Sequence, residues 1–67
     1  MSKVNYYKRF SSKALAYVEE VEKAGKGNKL KLDDISRRVY SDYKSGKISV
    51  DEYDRIHALL MEYRYPR

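Results

Sequence analysis

The chain has no cysteine, no tryptophan, one proline, one histidine and three glycines. Without cysteine there is no disulfide to staple a small fold, no thiolate nucleophile and no sulfur ligand for zinc. A single histidine, His57, has no second imidazole with which to complete a metal site, so it reads as a partly buried structural residue flanking a helical apolar stripe. Three scattered glycines make no phosphate-cradling loop. The acidic residues come as sequence neighbours, Asp33-Asp34, Glu19-Glu20 and Asp51-Glu52, which splay about 100° apart on a helix and do not converge on one atom. At 67 residues the chain is also too short to enclose a desolvated pocket, so no enzyme, cofactor or metal is expected. Long apolar runs are missing too. Nothing approaches the roughly 20 residues that cross a bilayer or the roughly 7 to 15 of a signal-peptide core, which argues against a membrane and leaves a cytoplasmic location as the default.

What the chain does have is 42% apolar and 13% aromatic residues, eight of them tyrosines, together with 37% charged residues and a net charge of +5. That apolar share is too rich for simple disorder. A domain this small buries barely enough apolar surface to offset its conformational entropy, so stability has to come from tight helix packing or from self-association as a homodimer.

The apolar spacing predicts an all-α chain of three helices. Over about residues 4–24, Tyr7, Phe10, Ala14, Val18 and Val21 recur at helical intervals, and Gly25 sits where a left-handed cap ends a helix. Leu30 and Leu32 alternate with lysines in a run too short to pair as a strand, and read as a loop pinned by two leucines. A second helix is expected over about 33–45, capped by Asp33 or Asp34, buried through Leu32, Ile35, Val39 and Tyr43, and closed by Gly46. Ile48-Ser49-Val50-Asp51-Glu52-Tyr53 then carries a capping box with a hydrophobic staple. It opens a third helix over about 49–64 with an inner stripe of Tyr53, Ile56, Leu60 and Tyr63. The short link between the second and third helices makes them antiparallel neighbours, and a longer first helix should pack across their seam.

At Gly46, Ile48, Ser49, Glu52, Tyr53 and Leu60 the second half resembles the short helical hairpins called SHOCT domains. Their pattern runs through a Gly-x-Ile-Thr/Ser turn into a Glu-aromatic pair and a terminal double leucine. The likeness covers about half of the chain and departs from the family where Leu59-Leu60 fall one residue early, where His57 replaces a common lysine, and in the apolar spacing before Gly46. The resemblance implies an interaction or oligomerisation hairpin with no catalytic role.

Charge is distributed unevenly. Lys3, Lys8, Arg9 and Lys13 precede any acid, Lys26, Lys29 and Lys31 form a second acid-free stretch, and the chain ends Arg64-Tyr65-Pro66-Arg67. If these cations converge with Arg37 and Lys44, they make a surface suited to nucleic-acid phosphates. Tyr6, Tyr40 and Tyr65 are the tyrosines expected to be exposed beside cations, while Tyr7, Tyr43, Tyr53 and Tyr63 are expected in the core. The third helix starts Val50-Asp51-Glu52 and continues through Asp54, which would push acids toward phosphates and excludes it as a major-groove probe. The leading expectation is a small basic, non-catalytic regulator, of a type plausible for phage or mobile elements. It would bind nucleic acid through Lys3, Lys8, Arg9, Lys13, Lys26, Lys29, Lys31, Arg37 and Lys44. The alternative is an adaptor or inhibitor, homodimeric in one version, that docks an acidic protein surface through Tyr6, Tyr40, Arg64 and Tyr65.

Overall fold

A computed structural model of the protein describes residues 9–65, and these form three helices: α1 (Ser12–Ala24), α2 (Lys29–Lys44) and α3 (Val50–Arg64). Each helix packs on the other two. Phe10, Ala14, Tyr17, Val18 and Val21 from the first segment meet Leu32, Ile35 and Val39 of α2 and Ile56, Leu59, Leu60 and Tyr63 of α3, with Ile48 from the α2–α3 link, in one continuous core. The apolar stripes of the sequence are buried at Ala14, Val18, Val21, Leu32, Ile35, Val39, Ile56, Leu60 and Tyr63, but Tyr43 and Tyr53 are only half-buried.

Two boundaries differ from the sequence reading. The first helix was expected from residue 4, but Arg9 and Phe10 lie in a turn and α1 begins at Ser12; residues 4–8 are outside the described residues. Ser11 breaks the helix because its hydroxyl accepts from the Ala14 N–H, while Phe10 just before the cap stays buried and carries the apolar period across the break. As a result α1 is the shortest of the three. The second helix starts four residues earlier than expected. Asn28, not Asp33 or Asp34, is its N-cap, its side chain accepting from the Lys31 N–H. Leu30 and Leu32 are therefore both helical: Leu32 is fully buried, whereas Leu30 is 86% exposed and pins nothing.

The third start is as the sequence predicts. Ser49 accepts from the Glu52 N–H at 3.1 Å and Glu52 Oε1 accepts from the Ser49 N–H at 2.8 Å, completing the capping box. The second oxygen of Glu52 accepts from the Ser11 N–H at 2.7 Å, so one carboxylate ties the starts of α1 and α3 together. At the opposite end, the Gly27 N–H donates to the Tyr63 carbonyl at 2.9 Å and Arg64 pairs with Asp33 at 2.9 Å. These ties fix the directions: α1 and α3 run the same way and α2 runs back between them.

Candidate interaction surfaces

The chain direction decides where the cations fall. Arg9 and Lys13 stand at the end of the bundle where α1 starts, and the last turn of α2 brings Lys44 to that same end. Lys26, Lys29 and Lys31 stand at the other, with Arg64 and Tyr65. From Lys29 to Lys44 the axis of α2 alone spans about 22 Å. Lys13 is also neutralised locally, 3.4 Å from Asp42. Of the predicted contact residues that are described, Arg9, Lys13 and Lys44 thus stand at one end, Lys26, Lys29 and Lys31 at the other and Arg37 midway along α2, and the single continuous patch expected from the sequence is not assembled among them. Lys3, Tyr6 and Lys8 lie outside the described residues.

The seam between α1 and α2 is closed by polar contacts. Arg38 pairs with Glu20 and Asp34, at 2.8 and 2.9 Å, and lies over the Tyr17 ring. The hydrogen bond from Arg38 to Glu20 leads the effects that push its guanidinium pKa upward. Tyr17 donates to Asp42 at 2.5 Å. Burial, then this hydrogen bond, push the Tyr17 phenol up to about 12, and the same bond holds the Asp42 carboxyl below the usual carboxylate range. An open groove of about 500 Å³ runs along this seam over Ala24, Leu30 and Ile35. Its central polar groups, Arg38, Glu20 and Asp34, are engaged with one another, which gives the groove a structural explanation.

The seam between α2 and α3 is different. Tyr43 and Tyr53 stack with centroids 4.5 Å apart and planes 16° apart, and His57 continues the stack 5.8 Å from Tyr53. Tyr40 leans on both tyrosines, at 6.5 and 6.2 Å, and remains half exposed under the ammonium of Lys44. Arg37 lies one turn back along α2 and is exposed. Tyr43 and Tyr53, expected in the core, are therefore half-buried rim residues, and His57, expected to be partly buried, is exposed. The i,i+3 pair Tyr40/Tyr43 and the i,i+4 pair Tyr53/His57 were visible in the sequence. That they meet depends on the register of α2 against α3, which spacing within one helix does not carry.

At the far end, the nine residues 23–31 hold four lysines and no acid. Lys29 and Lys31 occupy the first turn of α2, which has no acidic residue. A cation there opposes the helix dipole, at a typical cost of about 0.3–1 kcal/mol each. Asp33 and Asp34, one turn further along α2, are engaged by Arg64 and Arg38.

Among the described residues, no three His, Cys, Asp or Glu side chains group as metal ligands, and no helix is long and apolar enough to cross a membrane. No family model, curated protein or solved structure matches the chain.

Proposed function

We propose that the chain is a non-catalytic binding module whose α2/α3 face docks an acidic surface of a partner protein. The observation that carries this is the aromatic cluster of Tyr40, Tyr43, Tyr53 and His57, held in fixed mutual geometry at the surface with Lys44 over Tyr40. Pre-stacked rings lose little conformational freedom on binding, and tyrosine and arginine are the residue types that anchor protein interfaces. Arg37 and Lys44 have no carboxylate partner among the described residues, which favours an acidic counterpart. Base stacking is the weaker use of this face, because Tyr43 and Tyr53 are already stacked on each other and His57 on Tyr53. The SHOCT-like turn between α2 and α3 implies the same class of role.

A photo-crosslinking residue placed at position 40 in cells of the source organism tests this reading. It should give one stoichiometric protein adduct that survives nuclease treatment, and the same probe at Glu19 on the exposed side of α1 should not. Absence of an adduct from position 40, or equal adducts from both positions, defeats the proposal.

A further inference from the structure

The lysine end of the bundle is a second surface, separate from the aromatic face, and we propose that Lys23, Lys26, Lys29 and Lys31 contact the phosphate backbone of duplex nucleic acid. This holds or fails independently of the docking role of the α2/α3 face.

The positions are fixed by the backbone. Gly25 and Gly27 adopt φ of 84° and 86°, which glycine reaches without strain, and fold the link between α1 and α2 tightly. The Gly27 N–H is bonded to the Tyr63 carbonyl and the Lys29 N–H to the Gly27 carbonyl, both at 2.9 Å. Lys26 lies over the Tyr63 ring, its ammonium 5.7 Å from the centroid. Four lysines are thus carried at one end of the bundle: Lys23 and Lys31 border the groove between α1 and α2, Lys26 lies toward α3, and Lys29 projects from the other side of α2 from Lys31.

Their charge is not consumed inside the molecule. Elsewhere Lys13, Arg38, Arg55 and Arg64 each have a carboxylate within 3.4 Å. Lys23, Lys29 and Lys31 have none among the described residues, and Glu20, Asp33 and Asp34 are engaged by Arg38 and Arg64. The first-turn lysines also add to the positive end of the α2 dipole instead of compensating it. A sequence tuned for stability alone would place acids at those two positions, so the lysines there point to an external anion. Lysine is a flexible point charge, suited to phosphates spaced along a backbone and poorly suited to reading base edges. Double-stranded nucleic acid supplies that array of charges without requiring a free aromatic face.

The test measures binding of the full chain to a short duplex by fluorescence anisotropy across salt, for the wild type, the double variant Lys29→Glu/Lys31→Glu and the charge-matched control Arg9→Glu/Lys47→Glu at the opposite end. Four contacts give a log–log salt slope of about −3.6, and the Lys29/Lys31 variant should flatten it by about 1.8 and weaken binding on the order of a hundredfold at 50 mM salt. The control should change binding by no more than a few fold. Because acids suit a helix start, the Lys29/Lys31 variant should melt a few degrees higher than the wild type, so its loss of binding cannot be a loss of fold. The proposal is overturned if no duplex binds at low salt, if the control weakens binding as much as the test variant, or if phosphatidylserine vesicles bind the wild type while the duplex does not.

Discussion

Glu52 joins two helix starts on one side chain. Its oxygens accept from the Ser49 and Ser11 N–H groups while the Ser49 hydroxyl caps α3 in return. Burial raises the pKa of this carboxyl, but the hydrogen bonds from Ser11 and Ser49 outweigh it and hold the group below its ordinary value. With the folded pKa below the unfolded one of about 4.3, the stabilisation is complete above that pH and is lost as the pH falls through the folded value. Glu52→Gln should therefore reduce the fall of stability on acidification below about pH 5 and lower neutral stability by about 2 kcal/mol. Ser49→Ala, which removes one cap, should cost about 1 kcal/mol. Denaturant titration across pH checks both, and a Ser49→Ala loss as large as that of Glu52→Gln would show that the bond to Ser11 adds nothing. Tyr17 has the opposite sign. Its folded pKa of about 12 lies above the ordinary phenol value of 10.0, so its contribution is present below that value and disappears as the pH rises toward 12. Tyr17→Phe should cost about 1 kcal/mol at neutral pH and make the alkaline limb of the stability curve shallower; an unchanged alkaline limb would assign that limb to other groups.

At the level of the helices, legibility followed the chemistry of the ends. The start of α3 was readable to the residue because Ser49 and Glu52 form a reciprocal pair that no other arrangement of those side chains explains as well. The start of α2 was not, because Lys-Leu-Lys-Leu alternates like a strand and two aspartates downstream resemble caps, while Asn28 caps through a long 3.5 Å contact. Asp33 and Asp34 were free to serve as caps on sequence grounds; in the fold they are taken by Arg64 and Arg38. The start of α1 was hidden by Phe10, which continues the helical period from outside the helix. The helical reading of residues 29–32 separates the two leucines sharply. Leu32→Ala should cost about 2–5 kcal/mol by opening a cavity, whereas Leu30→Ala should stay within about 0.5 kcal/mol. Chemical denaturation measures the two directly, and comparable losses at both positions would restore a loop held by both side chains.

Across the whole molecule, the residues of the candidate surfaces were legible and their grouping was not. Sequence identifies Lys26, Lys29 and Lys31 as an acid-free run, but only the return of α2 between α1 and α3 sends them to the end opposite Lys44. Likewise the Tyr40 exposure was foreseen, and the stack beside it depends on helix register. This separation has a consequence for binding. Along α2, Tyr40 lies about 16 Å from Lys29 and about 14 Å from Lys31, beyond the Debye length of about 8 Å at physiological salt, so charge changes at these two lysines are largely screened at Tyr40. Tyr40→Ala should weaken docking of the partner protein by at least about tenfold and leave duplex affinity within about twofold. The Lys29→Glu/Lys31→Glu variant should do the reverse, and the combined variant should show both losses, additive to about 0.5 kcal/mol, as distant sites do. Calorimetric titration of each variant with partner and with duplex decides the matter: if either substitution damages both activities equally while the melting temperature is preserved, the two surfaces are one, and the division of the cations by the fold has no functional meaning.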